Sequence, residues 1–417
     1  MPVTRRTFFA TIGAGIPLLA DGGVQKPSTS HETAFRNGNF QLAVSLAEAV
    51  LAKDPGDVRA RLTKLRVYDA HFRTDMAQTE LRDILSKSSN RPVVLAALPE
   101  LSFAENMPDL MDEYLRSSPA DSLGAERIRA LRLWTKRAGA DGLCRAMFSK
   151  QLSTDKAFLL RYSPDNPGLI GLRTTINGHQ PLTLLLNSSA FGLWLPPTKA
   201  RAVRVETLGE GWISEPGITG VAKGAYGLAE HVETGGAVIR NVPVFTAPGR
   251  PFDLFDGIIG TSAFRYINVE LHPSEPKVAF TQPKPQSQQR IVQCVRSRHV
   301  PLLHGHIEGR PTLILIQLQA EISVAQRTPP LQVYPNESND TYLEWLTGAT
   351  CKADSDTFAS IAKFEIAGDA RKILTRRCDL SETSAKLGLT IGGVAGLNAF
   401  QNDGIILDQT RGLVGFE

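Results

Sequence analysis

The sequence predicts a multidomain α+β chain: an N-terminal α-helical region followed by two all-β lobes built on one plan. Three observations carry this. From residue 31 to about residue 150, apolar and small residues recur at three- and four-residue steps, the period of a helix. After about residue 155 the period falls to two, and Gly, Pro, Thr and Val displace Ala, Leu, Arg and Glu, the texture of short strands separated by turns. The β part also repeats itself. Gly257-Ile258-Ile259-Gly260-Thr261-Ser262-Ala263-Phe264 returns as Gly393-Val394-Ala395-Gly396-Leu397-Asn398-Ala399-Phe400, with four of eight positions identical. The same offset carries Leu271 to Leu407, Val278 to Val414 and Phe280 to Phe416.

Composition narrows the class. At about 150 residues per domain, a chain of 417 residues holds two or three. An apolar fraction of 42% with 21% charged residues is that of a globular protein and excludes wholesale disorder, collagen and a coiled-coil rod. The formal charge of +4 is a small difference between 46 basic and 42 acidic residues, too little to argue for nucleic acid as a partner. Four cysteines in so long a chain make no disulfide scaffold.

Residues 1–30 read as a leader and linker. Thr4-Arg5-Arg6-Thr7-Phe8 opens an apolar run that ends at Ala20, too short to span a membrane. The Arg5-Arg6 pair, with Thr4 before it and Phe8 after, resembles the twin-arginine export signal, which implies a periplasmic or secreted bacterial protein. The alternative is a generic secretory signal that contains two arginines. No cysteine follows the run to carry a lipid, and no other stretch approaches a membrane span. In an oxidising compartment Cys351 and Cys378, in one expected lobe, are placed to pair, whereas Cys144 and Cys294 lie apart.

Residues 31–150 are expected to form helical hairpins. Ala34, Phe35, Gly38, Phe40, Ala43, Ala47, Val50 and Leu51 fall at helical steps, and Asp54-Pro55 is the stop. A weaker second copy runs from Ala60 to Asn90, and a third from Val94 to Pro119, with a closing helix around Ala125–Trp134. The first copy resembles a tetratricopeptide repeat, which implies a concave surface for peptides or partner proteins. A plain helical stack acting as spacer or dimerisation arm is the other reading.

The two β lobes are expected over 155–283 and 291–417. Each opens with a strand, a turn (Asn177-Gly178-His179-Gln180-Pro181; Glu308-Gly309-Arg310-Pro311) and a strongly apolar strand. Each closes on the Gly257/Gly260 or Gly393/Gly396 element and a final hairpin. This plan resembles the retropepsin-type aspartic protease domain, and two copies resemble the two-lobed pepsin arrangement. The resemblance implies an apolar strand running into Asp-Thr/Ser-Gly in each lobe, one catalytic aspartate per lobe, and a flap hairpin over the cleft. The glycines at 217, 220, 224 and 227 fall where that flap belongs, and permit turns and opening.

The chemistry departs from the pattern. Leu184-Leu185-Leu186 leads into Asn187-Ser188-Ser189-Ala190, with Asn187 at the aspartate position, Ser188 at the Thr/Ser position and Ser189 in place of glycine. In the second copy Leu313-Ile314-Leu315-Ile316 leads into Gln317-Leu318-Gln319, and all three positions differ. An aspartic protease needs two carboxylates sharing one proton; Asn and Gln do not ionise and take no proton from water. The expectation is an exported, catalytically inactive protease-like protein that binds a peptide or protein in the inter-lobe cleft and along the helices. The alternative is an acid-active endopeptidase whose carboxylates lie elsewhere. Glu308 and Glu321 flank the second apolar strand, and Asp253, Asp256, Asp379 and Asp408 read as turn or strand-end residues, Asp256 as a cap on local amides. His299, His304 and His306 read as solvated strand-face side chains rather than metal ligands. No metal, cofactor or serine-hydrolase constellation is expected.

Overall fold

The computed structural model describes residues 30–119, 122–148, 155–156, 158–160, 169–213, 222–247, 255–272, 277–282, 290–320, 323–326, 334–335, 358–400 and 403–416. The leader arginines Arg5 and Arg6, Glu321, Asp253, Cys351, Gly217 and Gly220 lie outside them.

The first described elements are helices α1 (His31–Arg36), α2 (Phe40–Leu51), α3 (Val58–Ala70), α4 (Thr74–Leu85), α5 (Arg91–Ala97), α6 (Pro108–Ser117) and α7 (Leu123–Ala138). Several starts are fixed by side chains. Ser30, Asn39, Asp57 and Ser122 each accept a hydrogen bond from the backbone N–H three residues on, a cap worth about 1 kcal/mol. Ala43, Ala47, Ala60 and Ala77 are fully buried, so consecutive helices approach closely. Helix α1 has six residues and α5 seven, and the segment between α5 and α6 turns twice in 3-10 helix at Leu98–Glu100 and Ala104–Asn106.

The β structure begins before the expected boundary. Strand β1 (Arg145–Phe148) pairs antiparallel with a strand some ninety residues on, Ala146 against Ile239. Four residues carry no readable period, and the turn into them is set by Cys144 at φ +53. The rest of the first lobe is β2 (Asp155–Lys156), β3 (Phe158–Leu160), β4 (Leu169–Ile176), β5 (Leu182–Asn187), β6 (Leu193–Leu195), α8 (Pro197–Ala202), β7 (Glu206–Ile213), β8 (Ala222–Thr234), β9 (Ala237–Thr246), β10 (Gly257–Gly260), β11 (Asn268–His272) and β12 (Lys277–Thr281). The second is β13 (Arg290–Gln293), β14 (Val295–Ser297), β15 (Val300–Ile307), β16 (Arg310–Ile316), β17 (Ser323–Ala325), β18 (Tyr334–Pro335), β19 (Phe358–Ile366), β20 (Asp369–Arg377), α9 (Ser381–Leu387), β21 (Ile391–Ala395), β22 (Ile405–Asp408) and β23 (Leu413–Phe416).

Six strands of each lobe close into a barrel. In the first the ring runs β4, β5, β10, β6, β9, β8 and back to β4. In the second it runs β15, β16, β21, β17, β20, β19 and back to β15. Taken in that order the two rings share one pattern of parallel and antiparallel pairings, and closure leaves no open edge. The first apolar strand of each ring, β5 or β16, lies between two neighbours, so Leu184, Leu185 and Leu186 and their counterparts Ile314, Leu315 and Ile316 are all fully buried. Continuous burial explains why these runs do not alternate. Positive φ at Asn177 and Gly178 (+49, +72), and at Glu308 and Gly309 (+51, +70), forms the tight turn ahead of each run.

A third sheet joins the lobes. The hairpin β11–β12 that follows the first barrel pairs edge to edge with the hairpin β22–β23 that follows the second, Val269 against Leu407 and Leu271 against Ile405. Strands β13 and β2 extend it to six, in the order β13, β23, β22, β11, β12, β2. The offset pairs visible in the sequence, Leu271/Leu407, Val278/Val414 and Phe280/Phe416, form the buried face of this sheet. The architecture is therefore helices followed by two six-stranded barrels, the two-lobe retropepsin-like α+β arrangement.

Candidate functional site

Strands β5 and β16 end at the seam between the barrels, and the turns that follow them meet. Behind each apolar strand runs a parallel partner: β10 sets Gly260 beside Asn187, and β21 sets Ala395 beside Ile316. The glycines here are spatial requirements. A Cβ on Gly260 would lie 2.1 Å from the Ala190 carbonyl oxygen, and one on Gly257 2.6 Å from that of Trp194. On the other side, a Cβ on Gly393 would lie 2.3 Å from Ile307 Cδ1, while the Gly396 N–H donates to Ser323 Oγ at 3.1 Å.

A hydrogen-bonded lock spans the seam. Ser188 Oγ donates to the Ile316 carbonyl at 2.6 Å and accepts the Leu318 N–H at 3.1 Å. The Ser188 N–H donates to Gln319 Oε1 at 3.2 Å, and Gln317 Nε2 donates to Ser189 Oγ at 3.3 Å. Asn187 folds onto its own turn, its Oδ1 accepting the N–H groups of Ser189 and Ala190 at 2.7 and 2.9 Å. That pair of donors fixes which end of the amide is oxygen. Its Nδ2 is buried without a hydrogen-bond partner among the described residues. Asn187, Ser188, Ser189, Gln317, Leu318 and Gln319 are all wholly inaccessible.

All six motif residues named from the sequence are thus brought together, with His299 added. His299 lies in the β14–β15 turn, packs on the Phe191 ring at 5.2 Å between centroids, and its Nε2 donates to the Ser189 carbonyl at 2.9 Å. It is half-buried at the seam, a correction to its reading as a solvated strand-face residue; the grouping with His304 and His306 hid it, because the hairpin turn sends it to the opposite lobe. His304 sits on β15 against the Phe40 ring of α2 at 5.6 Å. Burial, and then the nearby His71, pulls its pKa below the ordinary histidine value.

The acidic candidates are used elsewhere. Among the described residues Asp256 caps no local amide. Its Oδ2 accepts the Thr183 N–H of β5 at 2.9 Å and its Oδ1 pairs with Lys199 of α8 at 2.5 Å. Burial works against its charge, but Lys199 and Thr183 together hold its carboxyl below the usual range. Glu308 accepts the Lys363 N–H at 2.6 Å, Asp379 accepts the Ser381 N–H at 2.9 Å, and Asp408 pairs with Arg411. No carboxylate is among the described hydrogen-bond partners of Asn187, Ser188 or Ser189. Cys144 and Cys294 are free but buried, their thiols pushed up to about 11 and about 12, whereas Cys378 is disulfide-bonded.

The β7–β8 hairpin occupies the place expected for the flap, and its tip lies outside the described residues. Gly224 and Gly227 are not turn residues. They pair inside β8 with Gly211 and Thr207, and a Cβ on Gly227 would lie 2.7 Å from the Glu206 carbonyl. Helix α7 holds this hairpin from outside. Trp134 Nε1 donates to the Gly227 carbonyl at 2.7 Å, and Glu126 accepts from Tyr226 Oη at 2.9 Å and the Trp212 N–H at 3.3 Å.

Residues 172–263, from β4 through the 3-10 turn after β10, match the family model described as aspartyl protease. No curated protein matches the chain. Among the described residues no helix is long and apolar enough to cross a membrane. In fold this is an aspartic-protease-like protein.

Proposed function

We propose that the protein is a catalytically inactive relative of the aspartic proteases, exported, and engaged in binding a peptide or protein. One observation carries the inactivity: the two strand-end positions where the fold would present its carboxylates hold Asn187 and Gln317, both wholly buried. Neither amide ionises, so no group at either position takes the proton of a water or gives one to a carbonyl. The lock between Ser188, Ile316, Leu318 and Gln319 commits these hydroxyl, amide and backbone groups to holding the lobes together.

Binding without chemistry needs a groove, backbone groups and side-chain pockets, and an extended peptide under a hairpin uses all three. The β7–β8 hairpin and the helical stack are the surfaces on which this reading rests, the stack in the manner of tetratricopeptide repeats. Export rests on Arg5-Arg6, and replacing both by lysine is expected to leave precursor in the cytoplasm. The proposed lobes, expected over 155–283 and 291–417, follow a helical domain, with the first lobe taken back to include β1 at Arg145–Phe148.

The test is digestion of a denatured protein substrate from pH 3 to 7 by the natural chain and by the Asn187→Asp, Gln317→Asp double variant. An inert natural chain supports the proposal. Cleavage by the natural chain that a transition-state-mimicking aspartic protease inhibitor stops would overturn it, and would assign the activity to carboxylates outside the two strand ends.

A further inference from the structure

Helices α1 and α3, the β14–β15 turn and the α9–β21 loop line an open cavity of about 440 Å³ between the helical region and the second barrel, and the same turn carries His299 to the seam. Its wall carries Arg36, Arg66, Arg296 and Arg298 against only two acids, Asp69 and Glu100. Both acids are already engaged. Arg296 Nη2 pairs with Asp69 Oδ1 at 2.9 Å, and Asp69 Oδ2 also accepts the Ser102 N–H at 2.9 Å. Arg66 Nη2 pairs with Glu100 at 2.7 Å. Among the described residues Arg36 and Arg298 have no ion-pair partner, so the wall has an excess of positive charge.

One further observation points to a ligand, and a second fixes a guanidinium at the wall. Arg66 Nε is buried with no acceptor among the described residues, the kind of orphaned donor that folded proteins avoid unless something supplies the missing oxygen. Arg298 stands at φ +58, a conformation that favours glycine or asparagine and in which a long charged side chain is uncommon. The two-residue β14–β15 turn sets this φ, as the turn before β16 sets that of Glu308, and it fixes Arg298 at the cavity wall. The remaining wall is mixed: Phe35, Leu101, Leu387 and Leu389 supply its apolar part, and Ser297, Ser384 and Thr390 add hydroxyl groups.

We propose that this cavity binds an organic oxyanion: a carboxylate or phosphate on an apolar body. Arg36, Arg66 and Arg298 hold the oxyanion, since guanidinium groups match planar or tetrahedral oxygens with paired N–H donors. Phe35, Leu101 and Leu389 take the apolar part, and the volume is that of a small-molecule site. Because both the helices and the second barrel line it, occupancy fastens one to the other.

The test is calorimetric titration and thermal denaturation of the full chain at constant ionic strength with phenyl phosphate, N-acetyl-leucine, N-acetyl-leucinamide and inorganic phosphate. Saturable binding of phenyl phosphate or N-acetyl-leucine, with a concentration-dependent rise in Tm and none for the neutral amide, supports the site. Which of the two saturates identifies the oxyanion. Arg36→Ala and Arg298→Gly should each weaken that binding at least tenfold. Arg298→Gly also removes the backbone strain, so its unliganded Tm should equal or exceed that of the natural chain, which separates lost binding from lost folding. Failure of both organic anions to bind, equal binding of the amide, binding of inorganic phosphate alone, or undiminished affinity in the two variants would each overturn it.

Discussion

Trp134 Nε1 donates to the carbonyl of Gly227, joining the last helix of the N-terminal region to the middle of the long hairpin of the first barrel. The indole is fully buried and packs edge-on against Phe245 at 4.9 Å and Tyr226 at 5.9 Å. The helices are therefore built into the first lobe as well as resting on the second. Trp134→Phe, which keeps the ring and drops the N–H, should cost about 1–3 kcal/mol because the Gly227 carbonyl is left without its donor. Trp134→Ala should cost about 3–5 kcal/mol through the cavity as well. Urea unfolding measures both, and hydrogen exchange should show the loss first in the β8 amides.

The seam lock has a sharper signature. Ser188→Ala removes the donor to the Ile316 carbonyl and the acceptor for the Leu318 N–H together, stranding two buried groups at about 1–3 kcal/mol each. Ser188→Thr keeps the hydroxyl and should recover most of that. An alanine variant as stable as the natural chain in urea would show that the lock contributes little.

Two glycines with different reasons should answer differently to alanine. Gly260→Ala forces a Cβ to 2.1 Å from the Ala190 backbone oxygen, which cannot give way without moving the turn that carries Asn187. It should lose at least several kcal/mol or yield no soluble protein. Gly309 has open space around it but stands at φ +70, so Gly309→Ala should cost only about 1 kcal/mol. Expression yield and Tm of the pair give the comparison.

Acidification should loosen the contact between α2 and the second barrel. His304 has its folded pKa depressed by burial and by His71, so the folded state favours the neutral ring that packs on Phe40. The unfolded chain then binds more protons below about pH 6.5. The stability this contact supplies is present above that pH and is lost as the pH falls through the folded pKa. Tm of the natural chain should fall from pH 7 to 5 more steeply than that of His304→Gln.

How much of this was readable beforehand depends on range. The repeated glycine element and the offset apolar triplets predicted two lobes because both are local patterns, and the closed rings realise them. The Asn187 and Gln317 turns were readable as strand ends because each follows an unbroken apolar run. His299 was missed because its meaning lies in the lobe it reaches, more than a hundred residues away in sequence. Asp256 was misassigned for the same reason: an Asp-Gly pair suggests a local cap, whereas its partners are Thr183 and Lys199. Strand β1 carried no signal since four residues are too few to show a period.

The sheet that β11 and β22 share has a consequence for how the chain is made. Their pairing, Val269 against Leu407, waits for residues made more than a hundred positions later. Until then the β11–β12 hairpin offers β11 as a bare edge, with Val269 and Leu271 on it, to whatever strand it meets first. Slow non-local pairing of this kind delays completion, and a chain cut after the first barrel would keep that sticky border permanently. Truncations ending near residue 283 should therefore associate with copies of themselves, and adding the 290–416 segment in trans should compete that association away.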